Sequence, residues 1–99
     1  MARKQAACPD AFPVAKARMA ALREAEAAAS ATLRAFPGVG TGAMGLTPDA
    51  VKAAPGYRAA WDGYHDAARA ARAYAGPFVR TYKRELADER AARRASGIL

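Results

Sequence analysis

The second half of the sequence repeats apolar residues at spacings of three and four from position 57 to position 86. On a helical wheel these positions fall within an arc of about 100°. This apolar stripe consists of Tyr57, Trp61, Tyr64, Ala68, Ala71, Ala75, Phe78, Tyr82 and Leu86. The pattern predicts one long amphipathic helix over residues 57–96. We expect a kink near Gly76-Pro77, because proline removes one helical hydrogen bond while the stripe keeps its phase across it.

A second helical pattern covers residues 13–36, and Pro37-Gly38 is a typical helix end. Residues 37–46 then predict a Gly-rich loop. The sequence Thr47-Pro48-Asp49 predicts the start of a short helix over residues 47–54, with the threonine as N-cap and the proline in the first turn.

Residues 1–12 show no periodicity and predict a flexible arm. The whole chain therefore predicts a single all-α domain, either an antiparallel helical hairpin or a small three-helix arrangement. At 1.5 Å per residue the first helix would be roughly 35 Å long and the last about 60 Å. Phe78, Tyr82 and Leu86 would then extend past the first helix, and either a fold-back or a second chain would have to cover them.

Composition indicates a small core and an anionic partner. Alanine accounts for 30 of the 99 residues and adds little apolar surface per residue. The net charge of +7 favours nucleic acid, an anionic membrane surface or an acidic protein, although a GC-rich genome also enriches Ala and Arg. A lone Cys8 predicts neither an internal disulfide nor a zinc site of several cysteines. No apolar run reaches membrane-spanning length, so we expect a cytoplasmic protein.

Two motifs resemble sites of chemistry, but neither has the context that chemistry needs. Residues 40–45 read G-x-G-x-x-G, but a predicted helix precedes them. A dinucleotide-binding fold requires a strand at that place. Asp62, His65 and Asp66 share a helix face but are flanked by arginines, which predicts the ion pairs Arg58–Asp62 and Asp66–Arg69. We therefore predict no catalytic, cofactor-binding or metal-binding residue and no enzyme.

Basic residues form the best functional candidate. Eight of them project within an arc of about 120° beside the apolar stripe, and we call them the basic stripe: Arg58, Arg69, Arg72, Arg80, Lys83, Arg84, Arg90 and Arg94. Asp62 and Asp66 neutralise the first half of this arc, so its second half is the more cationic. The predicted partner-binding residues are Arg69, Arg72, Tyr74, Arg80, Lys83, Arg84, Arg90 and Arg94. The alternative interpretation is a solubilising face supported by helix pairs such as Arg84–Asp88 and Glu89–Arg93.

Residues 44–58, MGLTPDAVKAAPGYR, and residues 78–86, FVRTYKREL, resemble small helical proteins rich in Ala and Arg. Phages, plasmids and other mobile elements of GC-rich proteobacteria encode these proteins. The resemblance covers about half the chain and transfers no activity to particular residues. By analogy it implies an inhibitor of host defence, such as an anti-CRISPR protein, that masks a surface stoichiometrically.

Three hypotheses follow for the function. The first is a stoichiometric inhibitor that binds a host protein or ribonucleoprotein. The second is a sequence-independent nucleic-acid-binding protein. The third is a structural protein that forms a homodimer or larger assembly through Phe78, Tyr82 and Leu86.

Overall fold

The computed structural model describes residues 7–97, and within that range the protein is all-α, as the sequence predicts. Four α-helices follow one another without a strand among the described residues: α1 (Phe12–Arg34), α2 (Asp49–Lys52), α3 (Tyr57–Thr81) and α4 (Lys83–Gly97). A 3₁₀ turn, Ala43–Gly45, lies in the predicted Gly-rich loop. In the same described range no helix is long and apolar enough to cross a membrane.

Helices α1 and α3 form the predicted antiparallel hairpin. Phe12 at the start of α1 stacks on Phe78 near the end of α3, with ring centroids 6.3 Å apart. At the other end, Phe36 after α1 meets Tyr57 at the start of α3, edge to face at 5.6 Å. Their lengths match, since 23 and 25 residues correspond to about 35 Å and 37 Å of helix.

The hairpin core is built largely from small side chains. Ala15 of α1 and Ala71 of α3 are both fully buried, and Ala68 is 2% exposed. Met19 and Phe78 are the larger buried side chains that accompany them. Because alanine adds no bulk beyond its Cβ, these positions let the two helices pack closely.

The helical run is interrupted at Tyr82, five residues beyond Pro77, the proline at which the sequence predicts a kink. Helix α3 continues through Pro77 to Thr81, although proline cannot donate a hydrogen bond to the carbonyl of Ala73. Tyr82 leaves helical geometry, with φ −113° and ψ 31°. Hydrogen bonding nevertheless continues on both sides, since Tyr82 N–H donates to the Phe78 carbonyl and Leu86 N–H donates to the Tyr82 carbonyl. The predicted long helix is thus two helices in succession.

Residues 7–11, the N-terminal strap, lie against the end of α3 and contradict the flexible arm predicted for residues 1–12. Cys8 is 7% exposed, and its backbone N–H donates to Thr81 Oγ1 at 2.9 Å. The Tyr82 hydroxyl donates to the backbone carbonyl of Asp10. Residues 1–6 of the predicted arm lie outside the described part of the chain.

The strap and the first residue of α1 cover the rings that were expected to lack an internal partner. Phe12 contacts Tyr82 at 5.0 Å between ring centroids as well as Phe78, which is 6% exposed. Leu86 is half-buried against the same cluster. The hypothesis of self-association through these side chains therefore loses its open surface at Phe78.

Thr47 does not cap α2 as predicted. The N-cap residue is Pro48, which makes no side-chain hydrogen bond there, and α2 extends only over Asp49–Lys52. The Thr47 hydroxyl oxygen instead accepts a hydrogen bond from the Gly40 N–H at 3.1 Å. This bond links the interior of the Gly-rich loop to the residue that follows it, so the threonine stabilises the loop and not the helix.

Helix α4 leaves the hairpin and makes the molecule broad and flat. The radius of gyration is 18.5 Å, against about 13 Å for a compact domain of this length. The principal extents are 49 × 48 × 22 Å. Within α4, all of whose residues are described, none is buried. Leu86 packs against the aromatic cluster of the hairpin, and Glu89 forms an ion pair with Lys16 of α1 at 2.7 Å.

Candidate partner-binding surface

Helix α4 separates its charges around its axis. Taking 100° per residue, its five basic side chains occupy about half of the circumference and its three acidic side chains occupy a separate arc of about 100°. We call the basic half the cationic side of α4; it consists of Lys83, Arg84, Arg90, Arg93 and Arg94, all of them exposed. The acidic arc consists of Glu85, Asp88 and Glu89.

The break at Tyr82 divides the predicted basic stripe between two helices. On α3, Arg69 pairs with Asp66, and Arg72 is exposed. The guanidinium of Arg80 lies beside Gly76, with Nη1 3.4 Å from the position that a Cβ would occupy there. The remaining predicted cations lie on α4, which has its own direction. The structure therefore brings Lys83, Arg84, Arg90 and Arg94 together on one helix and leaves the α3 residues as a separate group.

Arg93 belongs to the cationic side of α4 although the sequence interpretation assigned it to a pair with Glu89. In the structure the carboxylate of Glu89 bonds to Lys16 of α1. This contact joins residues 73 positions apart, which spacing along one helix could not reveal. Two predicted pairs of α3 are confirmed: Arg58 bonds to Asp62 at 3.2 Å, and Arg69 bonds to Asp66.

Tyr74 was predicted to be an aromatic neighbour of the basic stripe, but its side chain is engaged inside the molecule. Its hydroxyl donates to Asp10 Oδ2 at 2.7 Å and accepts from Cys8 Sγ at 3.3 Å. The guanidinium of Arg18 lies 5.7 Å from the centre of its ring and also pairs with Asp10. Tyr74 therefore fastens the strap to α3, and we leave it out of the proposed interface.

The two tyrosines that hold the strap have perturbed acidities. Partial burial raises the pKa of Tyr74 above its ordinary value of 10.0, and the neighbouring side chains of Cys8 and Asp10 raise it further. Burial also raises the pKa of Tyr82, and the nearby Cys8, Glu85 and Asp10 add to the effect. Both hydroxyls are thus held in the protonated, hydrogen-bond-donating form.

We expect the fold to lose stability as the pH rises above about 10. In the unfolded chain Tyr74 ionises near its ordinary pKa of 10.0, whereas in the folded chain it keeps its proton to higher pH. Above pH 10 the unfolded chain therefore binds fewer protons, and unfolding becomes more favourable with each further rise in pH. The measurement is the urea concentration at half-unfolding, recorded from pH 8 to pH 11.5 in steps of about half a unit.

The variant Tyr74→Phe tests the origin of this alkaline effect. Without the hydroxyl the protein should be less stable at pH 8, because the hydrogen bonds to Asp10 and Cys8 are lost. The further decrease in its urea concentration at half-unfolding between pH 9 and pH 11.5 should be smaller than that of the wild type. Tyr82→Phe should likewise reduce the decrease, since the pKa of Tyr82 is raised too. Equal alkaline decreases in all three proteins would show that neither tyrosine is responsible.

No group of three or more His, Cys, Asp or Glu side chains within residues 7–97 is arranged to hold a metal ion. His65, the single histidine, contacts the rings of Trp61 and Tyr64, with centroid distances of 3.9 Å and 5.1 Å. These ring contacts place it among aromatic side chains of α3.

Comparison with known proteins adds no relative from which a role could be transferred. No protein-family model matches the chain, and neither a curated protein nor a solved structure matches it. The functional argument therefore depends on the charges and contacts described above.

Proposed function

We propose that this chain is a stoichiometric binding protein of a phage or other mobile element, which blocks a host protein or ribonucleoprotein in the manner of an anti-CRISPR inhibitor. The observation that supports this most is the cationic side of α4, which is exposed along the whole helix. The hairpin would serve as a rigid support, and α4 would enter an anionic groove on the partner. The resemblance of residues 44–58 and 78–86 to proteins of mobile elements points to the same class.

Two properties of α4 suit docking by a helix. It is 15 residues long, about 22 Å, which is a common length for a helix that lies in a protein groove. Its first turns are fixed by the half-buried Leu86 and by the pair of Glu89 with Lys16. The orientation of the helix is thereby set before binding, so less ordering entropy would be lost on association.

The separated charges favour a partner that contacts α4 on one side. Arg90 and Arg94 lie one turn apart on the cationic side, and Asp88 projects from the opposite side. A groove with acidic groups or phosphates on one wall would attract the arginines and avoid the carboxylate. Electrostatic complementarity of this kind raises the association rate and discriminates among partners.

The deciding experiment compares two double variants that change the net charge equally. Arg90→Glu with Arg94→Glu reverses the cationic side of α4, whereas Arg23→Glu with Arg34→Glu reverses two exposed arginines of α1. Each tagged protein would be used to capture partners from proteobacterial host extract, with and without nuclease. We expect the α4 variant to bind the captured partner about tenfold more weakly or worse, and the α1 control to bind as the wild type does.

The outcomes separate the candidate partners. A partner that survives nuclease treatment is a protein, and one that is lost includes nucleic acid. Equal capture by both double variants, with circular dichroism showing intact helices, would refute docking through α4. A sequence-independent nucleic-acid binder is the second candidate, favoured by the same five cations. It requires binding of purified duplex or single strands with an affinity that falls steeply as salt rises, and salt-insensitive or absent binding excludes it.

A further inference from the structure

A pocket of about 290 Å³ lies at the end of the hairpin that carries the Gly-rich loop. Its walls are Lys52, the last residue of α2, and Tyr57, Arg58 and Trp61 from the first two turns of α3. The pocket thus combines two cationic side chains with two aromatic rings. Helix α3 is about 37 Å long, and α4 begins only after its far end, so this pocket is separate from the cationic side of α4.

The aromatic wall is open to solvent. The side chain of Trp61 is 37% exposed, although tryptophan is usually well buried in a folded chain. The Arg58 guanidinium lies over its ring at 5.2 Å from the centroid, a cation–π contact that places the planar cation beside the indole. Tyr57 is half-buried and is held in place by its edge-to-face contact with Phe36.

The two cationic side chains of the pocket, Lys52 and Arg58, have donor groups that can bind a ligand. Arg58 bonds to Asp62 at 3.2 Å through Nε, and its remaining N–H groups can donate elsewhere. Lys52 is exposed, and among residues 7–97 it has no carboxylate within ion-pairing distance. An anion placed between these two side chains would gain a first partner from lysine and a second, planar donor group from arginine.

We propose that this pocket binds a single nucleotide. The base would stack against Trp61 and the guanidinium of Arg58, beside Tyr57, and the phosphate would lie between Lys52 and Arg58. Many proteins that bind unpaired nucleotides hold them in this way, since every base has an aromatic face and each nucleotide has a phosphate. The volume of about 290 Å³ is at the lower end of the range for ligand pockets, which suits one nucleotide and excludes a duplex.

The only tryptophan in the sequence is Trp61, so its fluorescence reports on this pocket alone. The probes are adenosine 5′-monophosphate, adenosine, inorganic phosphate and a short single-stranded oligoadenylate. We expect saturable quenching by the monophosphate and by the oligonucleotide. Adenosine and phosphate alone should bind about tenfold more weakly, because each makes only one of the two kinds of contact. Equal affinity of monophosphate and strand identifies a free nucleotide as ligand, and tighter binding of the strand identifies an unpaired nucleotide within a chain.

Lys52→Ala removes the unpaired cation without touching the indole. We expect it to weaken binding of the monophosphate about tenfold and to leave binding of adenosine unchanged. The matched control is Lys16→Ala, which removes a lysine far from the pocket on α1 and should leave both affinities unchanged. The proposal is overturned by an absence of saturable quenching with monophosphate and strand, or by equal affinities of Lys52→Ala and wild type for the monophosphate. The charge variants of α4 should bind the monophosphate normally, so either proposal can fail without the other.

Discussion

Replacing Phe78 with alanine should lower the free energy of unfolding by about 3–5 kcal/mol, a large part of the about 5–15 kcal/mol typical of a small domain. Phe78 is the largest buried side chain of the described residues, at 6% exposure. Its ring contacts those of Phe12, Tyr74 and Tyr82, with centroid distances between 6.0 Å and 6.3 Å. Truncation would leave a cavity where α1, α3 and the strap meet, lined by the rings that Phe78 contacts.

The measurement is urea unfolding followed by circular dichroism, with Val79→Ala as the matched control. Val79 is the next residue of the same helix and is 51% exposed, so its truncation should change the free energy of unfolding by no more than about 0.5 kcal/mol. Similar losses in the two variants would mean that Phe78 is not part of a packed core. A loss confined to Phe78→Ala would establish the contact between α3 and the N-terminal residues in solution.

Replacing Ala71 with leucine should destabilise the fold by about 1–3 kcal/mol, because the hairpin has no room for a larger side chain at this position. Ala71 is fully buried on the face of α3 that packs against α1, where Ala15 is fully buried as well. A leucine there would have to push the two helices apart or adopt a strained rotamer. Helix propensity does not account for the loss, since leucine is nearly as good a helix former as alanine.

Ala73→Leu provides the comparison, because Ala73 is exposed two residues further along α3. It adds the same side chain to the same helix, and we expect the midpoint of thermal unfolding to stay within a few degrees of the wild type. The midpoint of thermal unfolding of Ala71→Leu should fall clearly below those of the wild type and of Ala73→Leu. A fall of equal size in the two leucine variants would contradict close packing of α1 against α3.

The sequence predicted the helices well because helix formation and apolar periodicity are local. Residues 13–36 and 57–96 were assigned from spacing alone, and the structure places helices there. The position of the interruption could not be found in this way. Pro77 looks like the weakest point of the pattern, but α3 continues through it with Phe78 buried on the packed side, and the interruption occurs at Tyr82, whose hydroxyl donates to the strap.

The strap itself could not be predicted, since it depends on contacts between distant parts of the chain. Residues 7–11 have no periodicity, and the hydrogen-bond partners of Cys8 and Asp10 lie more than sixty positions away. The candidate surface was predicted in part. Four of its cations were named from the sequence, whereas Arg93 was assigned to an intrahelical pair and Tyr74 to the surface. Both errors arose because their neighbours, Glu89 and Asp10, form contacts between elements.

The contact between the strap and Thr81 has a consequence for how the protein is made. A chain is synthesised from its amino end, and Cys8 precedes its partner by 73 positions. On the ribosome, α1 therefore emerges with Phe12 and the Cys8 thiol uncovered until α3 has left the exit tunnel. We expect translation products that stop before Thr81 to be degraded quickly by cellular proteases, while those that extend through it persist.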